Sequence, residues 1–161
     1  MDVGATTALV ARITLAAAFG LSAALKLGHR AAFARGLEQF GVPASGMLAS
    51  VLPPVEAGLA VLLVTVRDQP WPAFLAIGVL ALFTGAVVAN LVGGRPAPCP
   101  CFGPPGAGAR PVSAATVARN GYLVALAVLG TGATSGASAP ATAAGAAVLV
   151  TITLVALRRI D

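Results

Sequence analysis

Apolar runs long enough to cross a bilayer dominate this sequence. Of its 161 residues, 58% are hydrophobic and only 9% are charged, and the mean hydropathy is +0.93. A water-soluble domain of this size leaves much of its surface exposed and cannot hide so many apolar side chains in one core. The sequence therefore predicts an all-α integral membrane protein, because helices satisfy their backbone hydrogen bonds within lipid.

Five segments reach or nearly reach the roughly 20 apolar residues that a membrane-spanning helix needs. They lie at about residues 4–27, 43–66, 71–92, 112–130 and 139–157. We expect a single membrane domain over residues 1–161 with four to five spans, five being favoured, because the Gly- and Ser-rich stretch 130–140 suits either a wide turn or a longer loop. Since Asp2 stands where a cleaved signal carries basic residues, we expect the first segment to be retained.

The basic residues are distributed as in a membrane protein rather than a nucleic-acid-binding one. The net charge is +5, but the Lys and Arg residues are scattered around the apolar runs and form no stripe, which argues against a nucleic-acid partner. With five spans, Arg67 lies on one side and the opposite side carries Lys26, Arg30, Arg35, Arg95, Arg110, Arg158 and Arg159. The positive-inside rule then predicts a multi-pass cell-membrane protein with its N-terminus outside and its 93–111 loop at the cytoplasmic face.

A short amphipathic stretch follows the first span. Within residues 29–41, Phe33, Leu37 and Phe40 recur at helical spacing while the charges lie elsewhere, which predicts a short helix in the membrane interface. His29, the only histidine, is expected to be a solvated side chain rather than a ligand.

Four charged residues fall inside the predicted spans, namely Arg12, Lys26, Glu56 and Arg119. Arg12 and Lys26 share one face of the first helix with Phe19, and Lys26 either faces the bundle or extends to the interface. Glu56 follows Pro53-Pro54 in the second span, where a carboxylate must face the interior, bind a cation or be protonated. Its candidate partners are Arg12 and Arg119, and both a structural ion pair and a proton-handling role remain open.

Both cysteines of the chain stand one residue apart, at Cys99 and Cys101, in the Pro/Gly-rich loop 93–111. Two virtual bonds of about 3.8 Å each allow the roughly 4.4–6.8 Å separation of a disulfide. So small a ring, with Pro100 at its centre, is strained, and a strained disulfide is easily reduced. The alternatives are idle thiols or a soft-metal site for Cu(I) or Zn, although a closed zinc site needs acidic ligands or a second subunit here.

Arg119 and Asn120 lie about two turns into the fourth span, whose helix start is signalled by Ser113 and Thr116. From there the guanidinium can bend back toward the cysteine loop and lower a thiol pKa, or it can pair with Glu56 alone. The sequence has no catalytic triad, metalloprotease motif, phosphate loop or nucleotide fingerprint.

Taken together, these motifs resemble the methylamine-utilisation MauE family within the broader DoxX-like membrane proteins. The resemblance covers about Leu15 to Leu129. It is carried by Lys26 at the end of the first helix, Glu56 after a proline, the motif Cys99-x-Cys101-Phe102-Gly103, and the later Arg119-Asn120 pair.

The resemblance implies a membrane protein of redox or disulfide chemistry that serves a thioredoxin-like partner or a client enzyme, such as a disulfide-rich methylamine dehydrogenase during maturation. By motif match, Cys99 and Cys101 are the redox pair, and Lys26, Glu56, Arg119 and Asn120 are the polar residues that accompany it. Such a partner would favour cysteines outside the cell, in conflict with the charge rule.

The resulting hypothesis is a membrane thiol–disulfide oxidoreductase or redox chaperone, in which one cysteine attacks a partner's disulfide and the other resolves the mixed disulfide. Phe102-Gly103 favours Cys101 as the nucleophile, and the reverse assignment stays open. The electrons then pass to a partner protein or a membrane quinone, between which no motif decides. Two alternatives remain: a Cu- or Zn-binding membrane protein, and a non-catalytic assembly factor whose loop docks a partner.

Overall fold

The structure is a computed structural model that describes residues 2–94, 112–135, 137 and 139–160. This part of the chain forms six helices and contains no strand. The helices are α1 (Val3–Gly28), α2 (Arg30–Gln39), α3 (Ser45–Thr65), α4 (Trp71–Val92), α5 (Ala114–Leu129) and α6 (Ala139–Ile160). The prediction of an all-α fold is confirmed.

Three of these helices are long and apolar enough to cross a membrane, namely α1, α3 and α4. The fourth and fifth predicted spans correspond to α5 and α6, whose apolar parts are the shorter stretches Ala114–Leu129 and Pro140–Ala156. The short helix predicted after the first span is α2, and His29 before it is exposed, as expected. The protein is therefore a multi-pass membrane protein.

Local sequence signals set two of the helix starts. The side chain of Asp2 accepts hydrogen bonds from the backbone N–H groups of Gly4 and Ala5, at 3.0 and 3.3 Å, and so caps the first turn of α1. At the start of α5 the backbone N–H of Ser113 donates to the Thr116 hydroxyl at 3.3 Å. These bonds satisfy backbone groups that a helix start leaves unpaired.

Helix α1 is the centre of the bundle. Its most apolar window is 67% buried, against 28% for α3 and 22% for α4. It packs against α2, α3, α5 and α6, while α4 packs against α5 and α3. The main core cluster joins Leu15 and Phe19 of α1 to Leu59, Leu80 and Leu123 of the surrounding helices.

The contacts of α1 fix the direction of its neighbours. Arg12, in the first half of α1, contacts Val66 directly after α3 and Gly130 directly after α5, so these two helices run antiparallel to α1. Lys26 lies near the other end of α1, next to Phe83 in the second half of α4. We call these two levels of the bundle the Arg12 end and the Lys26 end. Helix α4 finishes and α5 begins at the Lys26 end.

Candidate functional site

A buried ion pair joins α1 to α3 at the Lys26 end. The ammonium of Lys26 donates to Oε1 of Glu56, and the hydroxyl of Ser22 donates to Oε2 at 3.0 Å. The side chain of Lys26 is 4% exposed and that of Glu56 is 1% exposed. Since an isolated charge inside a membrane bundle is costly, this pairing explains how the two side chains are accommodated.

Aromatic rings cover the Lys26 ammonium on two sides. Its nitrogen lies 5.2 Å from the ring centroid of Phe33 in α2 and 5.0 Å from that of Phe83 in α4. These are cation–π distances. Lys26 therefore faces the bundle and does not extend to the interface, so that alternative was wrong.

The prediction that Glu56 pairs with Arg12 or Arg119 was also wrong. Arg12 instead donates to main-chain carbonyls, from Nε to Gly130 at 2.6 Å, from Nη1 to Val66 at 2.7 Å and from Nη2 to Gln69 at 2.9 Å. Arg119 is not the residue that forms the ion pair either. The reason is the position of each residue along the bundle. The Glu56 carboxylate lies at the Lys26 end, too far along the bundle for the Arg12 side chain to reach it.

Helix α5 contributes Asn120 to the same region. Asn120 is buried and donates from Nδ2 to the hydroxyl of Thr84 in α4 at 3.3 Å. It lines a cavity together with Lys26 and Glu56. Arg119 is also buried but does not line that cavity. The structure thus brings together three of the four accompanying residues and leaves Arg119 beside them.

Sequence reasoning missed Ser22, Phe83 and Thr84. Ser22 stands four residues before Lys26, so helical periodicity could have placed it on the same face. The two residues of α4 carry no local signal, because only the packing of α4 against α5 and α3 brings them to the ion pair.

Two small cavities meet at Lys26 and Phe83, which line both. The first has a volume of about 10 Å³, and the polar side chains of Ser22, Glu56 and Asn120 are among those that line it. The second, of about 50 Å³, lies beneath α2. Apart from Lys26 it is lined by apolar side chains, including Phe33, Leu37, Phe40, Leu52 and Val87.

Cys99 and Cys101 lie in the segment 95–111, outside the described residues. The residues that flank this segment are described. Val112, which follows it, clusters with Phe40 and Val87, two side chains of the second cavity. The cysteine-bearing segment therefore rejoins the bundle at the Lys26 end. Among the described residues, no group of three or more His, Cys, Asp or Glu side chains could hold a metal ion.

Comparison with known proteins identifies the family. Neither the curated proteins nor the solved structures include a significant match to the chain. The family model described as methylamine utilisation protein MauE matches residues 4–133, which covers helices α1 to α5 and the cysteine motif. The broader DoxX-like grouping is not part of that match. The chain therefore belongs to the MauE family of methylamine utilisation proteins.

Proposed function

We propose that this protein is a membrane thiol–disulfide redox protein that acts through Cys99 and Cys101 on a thioredoxin-like partner or on a client enzyme during maturation. The observation that carries the proposal is that Val112, the residue after the cysteine-bearing segment, packs on Phe40 and Val87, which line the same cavity as Lys26. The Cys-x-Cys motif and membership of a methylamine utilisation family support it.

The proposed reaction is an exchange of one disulfide for another. The Cys101 thiolate attacks a disulfide sulfur of the partner, forming a mixed disulfide and releasing a partner thiolate. Cys99 then attacks Cys101, releases the partner as a dithiol and closes the Cys99–Cys101 disulfide. The pair loses two electrons and the partner gains them.

The cycle closes when a second protein dithiol, such as that of a thioredoxin-like partner, reduces the pair again. Run in the opposite direction, the pair oxidises a client dithiol and passes two electrons and two protons to a membrane quinone, which becomes a quinol. The family name favours a client in methylamine metabolism, but one membrane site can serve different clients.

Trapping of the mixed disulfide tests this proposal. In the Cys99→Ser variant the attacking thiol remains and the resolving one is absent, so partner-linked species are expected to accumulate. The Cys101→Ser variant should give none, and the double variant is the matched control. Mass spectrometry of the trapped species identifies the partner.

Redox titration of the purified protein gives an independent readout. We expect the pair to cycle at a potential above the roughly −300 mV below which structural disulfides fall. A pair that stays reduced throughout, yet binds one equivalent of Cu(I) or Zn tightly, would overturn the redox proposal in favour of a metal site. Full function of the double variant would instead favour a non-catalytic assembly factor.

The orientation of the cysteine loop is a separate proposal. Following the charge distribution, we place the loop at the cytoplasmic face and the N-terminus outside. A membrane-impermeant maleimide should then fail to label the reduced cysteines in intact cells and should label them in inverted vesicles. Labelling in intact cells would reverse the orientation and favour an exported partner.

A further inference from the structure

We propose that the Lys26 end binds a lipid-soluble molecule whose neutral carbonyl oxygen accepts a hydrogen bond from the Lys26 ammonium. The site consists of Lys26 and the apolar cavity beneath α2. It does not include the cysteines and does not depend on their chemistry.

The hydrogen bonding of Lys26 is the first reason. An ammonium group carries three N–H donors. Within the described part of the chain, the one oxygen that accepts from Lys26 belongs to Glu56, and its other close neighbours are the rings of Phe33 and Phe83. The side chain is 96% buried, its exposed fraction being 4%, so bulk water does not satisfy the remaining donors. A buried donor without an acceptor is costly, and an acceptor oxygen from a ligand removes that cost.

The charge of the site selects a neutral ligand. Lys26 and Glu56 together carry no net charge, so an added carboxylate or phosphate would leave an uncompensated negative charge among buried apolar side chains. A ketone or ester carbonyl accepts the same hydrogen bond without that cost.

The second cavity supplies the apolar part of the site. It has a volume of about 50 Å³ and, beyond Lys26, is lined by phenylalanine, leucine, valine and alanine side chains. A cavity of about 150 Å³ takes a benzene ring, so the present volume of about 50 Å³ takes only a short part of an acyl chain next to its carbonyl, and a longer chain or a ring requires α2 to move outward. The carbonyl can come from the ester of an acyl lipid or from the ring of a quinone.

Binding of defined ligands to the purified, delipidated protein tests the proposal. The test ligands are a long-chain monoacylglycerol, a decyl-substituted benzoquinone and decanoate, and the readouts are native mass spectrometry and the thermal unfolding midpoint. We expect one equivalent of a neutral carbonyl ligand to bind and decanoate to bind at least tenfold more weakly. The monoacylglycerol and the quinone distinguish the two carbonyl sources.

Two variants probe the two halves of the site. Lys26→Met combined with Glu56→Gln removes the donor while keeping the site neutral, and should weaken binding roughly tenfold or more, the usual effect of losing a hydrogen bond to a charged group. Ala86→Leu fills the apolar cavity while both residues of the ion pair stay in place, and should weaken binding similarly, because Ala86 lines that cavity. Ala81→Leu is its matched control, since Ala81 lies on the exposed face of the same helix.

The proposal fails if neither carbonyl ligand binds, if decanoate binds as tightly as they do, or if Ala86→Leu and the variant with Lys26→Met and Glu56→Gln both bind like wild type. The variant with Cys99→Ser and Cys101→Ser should bind normally. Its binding separates this inference from the redox function, because failure of the thiol chemistry would leave the carbonyl site intact.

Discussion

The two buried cations of α1 are used in opposite ways. Arg12 donates to the carbonyls of Gly130, Val66, Arg67 and Gln69, at distances of 2.6 to 3.1 Å. In the part of the chain that the structure describes, Lys26 has one carboxylate oxygen as its acceptor, and it borders two cavities. Both residues lie on one face of the same helix, so their difference comes from what surrounds them.

The comparison shows how two buried cations on one helix differ in the acceptors that surround them. The Arg12 guanidinium binds the connection between α3 and α4 and the residue directly after α5. It therefore holds these segments at one level of the bundle. Gly130 takes part in this arrangement, because a Cβ there would come within 3.2 Å of Arg12 Cγ and 3.3 Å of the Leu126 carbonyl oxygen. The planar fork of arginine suits several fixed carbonyls, whereas the ammonium of lysine is a compact group with three donors, and within the described residues one oxygen accepts from Lys26.

The largest effect is expected at the Arg12 end. Replacing Arg12 by leucine should lower the free energy of unfolding by about 4 kcal/mol, because several charge-assisted hydrogen bonds of roughly 1.5–3 kcal/mol each are lost together. The measurement is unfolding of the purified protein in mixed micelles. The matched control is Arg67→Gln, since Arg67 is exposed and, within the described residues, its side chain donates to the nearby Val64 carbonyl alone. Equal stability of the two variants would contradict a structural role for Arg12.

The second prediction concerns the ion pair. Either Glu56→Gln or Lys26→Met alone should cost about 3 kcal/mol, because each leaves a buried charge without its partner. The double variant should cost less than either single one, since the site is then neutral. The same unfolding assay measures the coupling, and the control is Glu38→Gln on the exposed face of α2, where the amide oxygen can still accept the hydrogen bond that Ser45 donates to Glu38. Additive costs would show that the two side chains do not stabilise each other.

Hydropathy made most of the fold predictable. Each predicted span coincides with a helix of the described chain, because bilayer-length apolar runs have few alternatives to a helix in lipid. The shared helix face of Arg12, Phe19 and Lys26 was also predictable, and all three side chains are buried. Each of these predictions requires only the sequence of a single helix.

The partner of Glu56 was not predictable in the same way, because it depends on how two helices are offset. Glu56 lies about 15 Å from Val66, the residue at the level of Arg12, and Lys26 lies about 21 Å from Arg12 along α1. The long lysine side chain bridges the difference, since helical side chains point back toward the N-terminus. Neither the offset nor the positions of Phe83 and Thr84 can be obtained from one helix alone.

The smallest predicted effect on stability tests whether the Lys26 side chain carries its charge in its buried position. Phe33→Leu removes the ring above the ammonium and should cost about 1 kcal/mol beyond the change in packing, within the range of desolvated cation–π contacts. In a background with Lys26→Met and Glu56→Gln that excess should disappear, so a double-mutant cycle should give a coupling of about 1 kcal/mol.

Phe40→Leu is the matched control: Phe40 lines the same cavity, but the ring contacts of Lys26 are to Phe33 and Phe83. Its coupling to Lys26 should therefore stay within about 0.3–0.5 kcal/mol of zero. Equal coupling for both phenylalanines would show that Phe33 contributes packing alone, and the contrast between Lys26 and Arg12 would then rest on hydrogen bonding rather than on the aromatic cover.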